Sequence, residues 1–189
     1  VYYKPHAGEN MAAVEVIAPA LKTLVSVEGT LDEPVHDITL RGLTFSYATW
    51  LGPSTDEGYP ALQAGYHWAG TAANPSQLPT PGNVTLRRAE RVVLEANVFS
   101  HLGAYALALT YGCRDNRVEG NVFGDISSGA IRIGDVDRPS TADPREVATN
   151  NVVRNKVAEA TGQDLLDGVG VFAGSTGGTR TQPNDVAKS

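Results

Sequence analysis

The chain is poor in several features, and each shortage argues against a class of protein. It has one cysteine in 189 residues, Cys113, so no disulfide can form within it. Its longest apolar runs are far shorter than a membrane-spanning helix. It also has no phosphate-binding loop, no zinc-ligand spacing and no Gly-x-Ser-x-Gly motif. The sequence therefore carries no signature of a P-loop enzyme, a zinc protein or an α/β-hydrolase.

Positive charge is scarce as well. Lys and Arg number 15 against 21 Asp and Glu, which gives a formal net charge of −6. The basic residues form no stripe, and this balance argues against nucleic acids and anionic membranes as partners. Hydrophobic residues make up 41% of the chain, enough to bury a core. We therefore expect one globular domain, or part of one, that binds neither nucleic acid nor membrane.

What the chain does contain is a repeat with an offset of 24 residues. Residues 97–109 (NVFSHLGAYALAL) align without a gap with residues 121–133 (NVFGDISSGAIRI). A period in the low twenties, with short apolar runs and glycine-rich corners, is typical of a solenoid. These runs are too short and too rich in β-branched residues for helices. The pattern predicts an all-β fold, a single-stranded parallel β-helix.

Further coils extend the repeat in both directions. Residues 38–47 match residues 92–101, and residues 150–157 match residues 116–123. The closing segment, residues 179–186, takes the same place again. Asparagine tolerates the left-handed backbone of a tight corner, and its amide can bond to the equivalent amide one coil away. These alignments predict a structural ladder on one corner, formed by Asn97, Asn121, Asn155 and Asn184.

The repeat divides the chain into three parts. Residues 1–50 form the first coils, residues 51–82 a long excursion rich in Gly, Pro, Ser and Thr, and residues 83–189 the regular coils. Within the excursion, residues 61–65 (ALQAG) fit the strand position of residues 106–110 (ALALT). No cap over the last coil, no initiator Met and no signal peptide are visible. We expect a fragment of a longer β-helix that is a monomer at full length.

The longest side of each coil predicts a binding groove. Side chains alternate along a strand, so Ile131 and Ile133 should point inward and Arg132 outward. Small neighbouring residues would leave a shallow trough, bordered by the excursion and by two later insertions, and such loops tend to carry function. Stacking the coils gives an outward column of Gln63, Ala108, Arg132 and Phe172.

Three carboxylates gather around this trough. Asp125 should stack on His101 at one edge and Asp135 on Tyr111 at the other, while Asp167 belongs to the next coil. Two carboxylates suit glycoside hydrolysis, in which one protonates the leaving oxygen and the other attacks or activates water. We predict Asp125, Asp167 and Asp135 as catalytic candidates. The predicted substrate-binding residues are Arg132, His101, Phe172, Tyr111 and Gln63.

Each of these assignments has a structural alternative. An aspartate after a glycine, such as Asp125 or Asp135, also serves as an ordinary turn residue, and His101 could cap a turn. Residues 134–137 (GDVD) offer two carboxylates of the kind that calcium prefers, although a solvated loop is the simpler interpretation. We therefore expect no cofactor, and calcium is the one ion that the sequence leaves open.

Several segments together resemble a known family. Residues 2–11, 38–50 (ITLRGLTFSYATW), 129–137 (GAIRIGDVD) and 168–174 (GVGVFAG) are similar to secreted bacterial β-helix proteins of glycoside hydrolase family 141, in the pectate-lyase-like superfamily. The resemblance implies a right-handed helix and α-L-fucosidase or xylanase activity on plant or complex polysaccharides. It also implies catalytic aspartates near the central coils, a polysaccharide or oligosaccharide as partner, and a secreted or cell-surface location in bacteria.

Two other functions fit parts of the same pattern. A polysaccharide lyase would need calcium, a basic residue and an anionic substrate, and Arg132 is the one outward basic residue of the predicted column. A non-catalytic β-helix could bind sugars or serve only as a structural element. The hydrolase is the leading hypothesis, because the predicted carboxylates cluster on the side that bears the insertions.

Overall fold

The fold is known from a computed structural model, which describes residues 3–56, 58–135, 143–165, 168–174, 176–177 and 179–181. Single 3₁₀ turns occur at Gly52–Ser54, Gln63–Gly65 and Pro144–Glu146, and no helix in the described ranges is long and apolar enough to cross a membrane. The strands in chain order are β1 (Val25–Glu28), β2 (Val35–His36), β3 (Thr39–Arg41), β4 (Thr44–Ala48), β5 (Ala61–Leu62), β6 (Tyr66–Thr71), β7 (Asn74–Pro79), β8 (Gly82–Arg87), β9 (Ala89–Glu90), β10 (Val93–Glu95), β11 (Val98–Leu102), β12 (Tyr105–Thr110), β13 (Arg117–Glu119), β14 (Val122–Ile126), β15 (Ile131–Gly134), β16 (Val152–Arg154), β17 (Val157–Thr161), β18 (Val171–Gly174) and β19 (Arg180–Thr181).

The strands form a parallel β-helix, as predicted. Three sheets run along it, and all their pairings are parallel. Sheet 1 has the order β1-β8-β12-β15-β18, sheet 2 the order β19-β16-β13-β10-β3, and sheet 3 the order β17-β14-β11-β4. Each regular coil contributes one strand to every sheet, so sequence repeats become neighbours in space.

Strand pairing confirms the 24-residue repeat and corrects one alignment. Phe99 pairs with Phe123 and Leu107 with Ile131, as the repeat predicts, and the alignment of residues 38–47 is also confirmed. The alignment of residues 150–157 is wrong by one residue, because Val118 pairs with Val153. Both valines are buried. A slip of one position would turn Val153 out of the core, since side chains alternate with period two.

The interior is filled by side chains that stack from coil to coil. The rings of Phe45, Phe99 and Phe123 form a continuous stack with centroid separations of 4.9 and 4.7 Å. In sheet 1, the predicted inward residues Ile131 and Ile133 are fully buried. The core therefore runs the length of the coils, and chemistry must come from outward-facing positions.

The long excursion does not contribute a strand to the coils. Its strands β5, β6 and β7 form a separate antiparallel sheet. The expected match of residues 61–65 to a coil strand is wrong, because Gln63 starts a 3₁₀ turn in which Ala64 has φ of 57°. The coil position belongs to β8, where Val84 and Leu86 point into the core. Thr85 therefore replaces Gln63 in the outward column.

Candidate functional site

One corner of the helix presents a column of side chains to solvent. Tyr47, His101, Asp125 and Ala160 occupy equivalent positions in successive coils, just before the end of each sheet 3 strand. All four have left-handed backbones, with φ between 48° and 60°. This conformation is uncommon for residues other than glycine. Because it recurs in every coil, it belongs to the architecture of the corner, which turns these side chains outward.

His101 and Asp125 form a close pair in this column. The distance from His101 Nδ1 to Asp125 Oδ2 is 2.5 Å, and the side chains are 49% and 60% exposed. The ring of Tyr47 stacks on His101 with a centroid separation of 4.9 Å and an interplanar angle of 13°. The stacking contact fixes the orientation of the imidazole ring, and the hydrogen-bonding contact with the imidazole fixes the position of the Asp125 carboxylate. The neighbour relation predicted for His101 and Asp125 is therefore present.

A cleft opens on each side of the His101–Asp125 pair. The first, here called the Trp50 cleft, has a volume of about 480 Å³, and its lining includes Trp50, Ser127 and Asp164. The second, here called the valine cleft, has a volume of about 520 Å³, and its lining includes Val98, Val122 and Glu159. His101 and Asp125 line both clefts. The pair therefore forms a ridge between two concave surfaces.

Asp164 reaches the Trp50 cleft through an insertion. Ser127 Oγ donates to Asp164 Oδ2 at 2.6 Å, and the Leu165 amide donates to the Ser127 carbonyl at 2.9 Å. These bonds dock the insertion against the turn that follows Asp125. Asp164 was not among the catalytic or substrate-binding residues predicted from the sequence, because it lies outside the repeat. Asp167, the predicted partner of Asp125, falls outside the described residues.

Arg132 faces outward, but it is covered. The predicted register of Ala108, Arg132 and Phe172 is present. Arg132 is nonetheless 4% exposed, and its Nη1 donates to the Thr80 carbonyl at 2.7 Å. The guanidinium carbon lies 5.6 Å from the ring centroid of Tyr105. The expectation that Arg132 lines an open trough is wrong, because the end of the excursion packs over this face.

Asp135 belongs to the same covered cluster. It is buried and accepts a hydrogen bond from Tyr66 Oη. The ring of Tyr66 meets that of Phe172 edge-on, with centroids 6.1 Å apart. Burial also raises the pKa of Tyr105 to about 12. Asp135 and Phe172 line neither the Trp50 cleft nor the valine cleft.

Two other predicted substrate-binding residues lie outside both clefts. The Arg87 guanidinium carbon lies 4.3 Å from the centre of the Tyr111 ring, so this aromatic face is occupied by a cation. Gln63 lies in the excursion and not in the outward column. Neither side chain is among the described residues that line the clefts. The structure thus brings His101 and Asp125 together at the clefts, whereas Arg132, Asp135 and Phe172 come together in the covered cluster.

The asparagine corner contains a hydrogen-bonded pair of buried amides. Asn121 Oδ1 accepts hydrogen bonds from the backbone N and the Nδ2 of Asn97, at 2.9 and 3.0 Å. Asn155 lies elsewhere: it is exposed, has φ of 49°, and Lys156 takes the ladder position in its coil. This follows from the one-residue error in the alignment. Asn184 is outside the described residues.

A second amide pair was missed by the sequence analysis. Asn151 Oδ1 accepts from the backbone N and the Nδ2 of Asn116, at 3.2 and 2.8 Å. The signal was hidden by the adjacent asparagines at 150 and 151, since the alignment paired Asn116 with the first of them. The same arrangement therefore occurs at two corners, once between Asn97 and Asn121 and once between Asn116 and Asn151, and is a feature of the fold.

In the part of the chain that the structure describes, no group of three or more His, Cys, Asp or Glu side chains is arranged to bind a metal ion. Asp135, one of the two carboxylates considered for calcium, is hydrogen-bonded to Tyr66. Asp137, the other, lies outside the described residues.

Comparison with known proteins gives one structural likeness. No family model and no curated protein matches the chain. A solved structure named glycoside hydrolase is similar, with a TM-score of 0.85 and 26% sequence identity over 95% of this chain. The chain spans about a third of the length of that structure, covering 34% of it. The chain therefore has the fold of a segment of a glycoside hydrolase.

Proposed function

We propose that the chain forms part of a carbohydrate-active hydrolase that cleaves glycosidic bonds of plant or complex polysaccharides. The observation that carries this proposal is the likeness to a glycoside hydrolase over nearly the whole chain. The sequence resemblance to family 141 supports the same substrate class. Because such polysaccharides lie outside cells, we also propose a secreted or cell-surface protein of bacterial origin.

The proposed working pair is Asp125 and Asp167. Asp125 is exposed at the ridge between the clefts, where a sugar oxygen can reach it. Asp164 lines the same Trp50 cleft, and Asp167 follows it in the sequence. In this scheme one carboxyl group protonates the leaving oxygen while the other attacks the anomeric carbon or activates water.

His101 is proposed as a positioning residue. Its Nδ1 lies within hydrogen-bonding distance of Asp125 Oδ2, and Tyr47 holds its ring in place. A hydrogen bond to a carboxylate fixes the orientation of the reacting oxygen. Loss of His101 should therefore slow the reaction less than loss of Asp125, since the imidazole orients the carboxylate without replacing it.

The lyase alternative fits the geometry less well. A lyase acts on an anionic sugar and uses a basic side chain at the reacting carbon. Arg132, the basic residue that the sequence suggested for this role, is buried under the excursion. Among the described residues that line the two clefts there is no Lys or Arg.

A single assay separates the three candidate functions. The protein, as its gene encodes it, is incubated with a panel of polysaccharides that includes xylans and fucosylated chains. A hydrolase releases new reducing ends without change in ultraviolet absorbance and without sensitivity to a chelator. A lyase gives an unsaturated product that absorbs in the ultraviolet, and a sugar-binding or structural protein gives neither.

Substitutions test the proposed pair once a substrate is found. Asp125→Asn and Asp167→Asn should each remove most of the turnover while leaving the melting temperature unchanged, because Asn keeps the shape and loses the acid. Asp115→Asn is a matched control, since Asp115 is also exposed and also left-handed, with φ of 56°. If both variants keep near-native turnover, the pair is wrong, and Asp164 becomes the next residue to test.

A further inference from the structure

The two clefts on either side of the His101–Asp125 pair are similar in size and are both open. Their volumes are about 480 and 520 Å³, within the range of about 300–1,000 Å³ found for small-molecule sites. An enzyme that trims single sugars from a chain end needs a pocket that closes at the reacting carboxylate. Here the carboxylate of Asp125 has concave surface on both sides, so a substrate can extend in both directions.

The charge of both clefts is unfavourable for acidic sugars. Asp125 and Asp164 line the Trp50 cleft, and Asp125 and Glu159 line the valine cleft. The described lining residues include no Lys or Arg that would offset these carboxylates. A surface of one charge sign repels ligands of the same sign. Chains of uronic or sulfated sugars are therefore disfavoured on both sides of the ridge.

The valine cleft supplies an apolar surface for a sugar ring. Val98 and Val122 are equivalent residues of successive coils and are 40% and 37% exposed, side by side on sheet 3. Exposed apolar surface that is contiguous and rimmed by polar groups commonly marks a binding site. The C–H face of a neutral pyranose can pack on this pair, while its hydroxyl groups reach the rim at Ser100 and Glu159.

From these features we infer that the site is endo-acting on neutral polysaccharides. A chain of uncharged sugars crosses the His101–Asp125 ridge, with at least one unit in the Trp50 cleft and at least one in the valine cleft. This inference rests on the proposed hydrolase function. It adds an internal position of the cut in the sugar chain, the charge class of the substrate and the requirement for sugars on both sides of the cut.

Product analysis tests the inference directly. An end-labelled neutral oligosaccharide series, taken from the substrate found in the panel, is digested with the protein as its gene encodes it. An endo-acting site releases labelled fragments of intermediate length from the first time points. Release of terminal monosaccharide alone, or faster cleavage of a uronic acid polymer, would overturn the inference and leave the hydrolase intact. Failure to cleave any substrate would overturn both.

A pair of matched variants tests the valine cleft separately. Val122→Gln replaces apolar surface inside the cleft with an uncharged polar side chain. Val157→Gln makes the same change at the next coil, where Val157 is 48% exposed, pairs with Val122 and does not line the cleft. We expect kcat/KM on the labelled chains to fall about tenfold for Val122→Gln, the lower end of what one apolar contact contributes in a hydrophobic pocket.

The control should stay within about twofold of the parent protein, and the melting temperatures of both variants should match it. Equal losses for the two variants, or no loss for either, would show that the valine cleft takes no part in binding and would overturn the inference.

Discussion

Replacing Asn121 with alanine should destabilise the β-helix strongly. Asn121 is fully buried, and its side chain makes four hydrogen bonds. Its Oδ1 accepts from the backbone N and the Nδ2 of Asn97, and its Nδ2 donates to the carbonyls of Leu94 and Glu119 at 2.8 and 3.2 Å. The alanine variant deletes all four bonds and adds no new partner.

The magnitude follows from the donors that lose their acceptor. The backbone N–H of Asn97 and one N–H of its side chain would be left unpaired in an interior closed to water. Each buried unsatisfied donor costs about 1–3 kcal/mol. Allowing for some local relaxation, we expect the free energy of unfolding to fall by about 2–4 kcal/mol, which lowers the melting temperature of a chain this size by about 5–15 °C.

Thermal unfolding followed by circular dichroism measures this effect. The control is Asn74→Ala in β7, where Asn74 is exposed and its backbone amide, not its side chain, bonds to Thr71. A surface change of this kind alters stability by less than about 0.5 kcal/mol. Equal melting temperatures for the two variants would refute the reasoning, because the buried amide pair would then contribute no more than an exposed asparagine.

Three further results are expected. Burial raises the pKa of the Cys113 thiol to about 11, so a thiol reagent at pH 8 should label the chain only as fast as it unfolds, and immediate labelling would contradict this. Burial lowers the pKa of His67 below 6.5, so the neutral form stabilises the excursion above pH 6.5 and this contribution is lost as the pH falls through the lowered pKa. The ring centroid of Trp50 lies 5.6 Å from that of His67. In a variant without the other tryptophan, the fluorescence of Trp50 should therefore change with pH, with a midpoint below pH 6.5. A midpoint above pH 6.5 would contradict the lowered pKa of His67. Gly134→Ala should destabilise the fold by at least about 1–2 kcal/mol because φ is 72° and a Cβ would meet the next coil's backbone. Gly124→Ala, where nothing lies within 4 Å of the new Cβ, should change stability little, and similar unfolding temperatures for the two would refute the argument.

The coils could be predicted from the sequence because their physics is periodic. The 24-residue repeat places Phe99 on Phe123, and side-chain alternation then sends Ile131 and Ile133 inward. A shift of one residue would expose the whole apolar set of a strand, so the hydrophobic pattern specifies the register closely. Where a pattern is ambiguous, the register cannot be predicted: the adjacent asparagines at 150 and 151 allow two alignments, and the one chosen is wrong by one residue.

The position of the excursion could not be predicted in this way. Residues 51–82 have no repeat, so nothing in their pattern says which face of the helix their antiparallel sheet covers. The sequence correctly predicts that Arg132 points away from the core. Whether it meets solvent depends on Thr80, which is 52 positions away and accepts its hydrogen bond. Long-range packing of this kind turns an expected groove residue into a buried one.

The candidate site arises from differences between coils more than from their likeness. The left-handed corner is the same in each coil, but its side chain changes from Tyr47 to His101 to Asp125 to Ala160. An aromatic ring, an imidazole and a carboxylate therefore lie in line, each in reach of the next. Asp164 joins them from an insertion that breaks the repeat. In such a solenoid, repetition gives neighbouring positions their geometry, and the departures from repetition decide what chemistry those positions can carry.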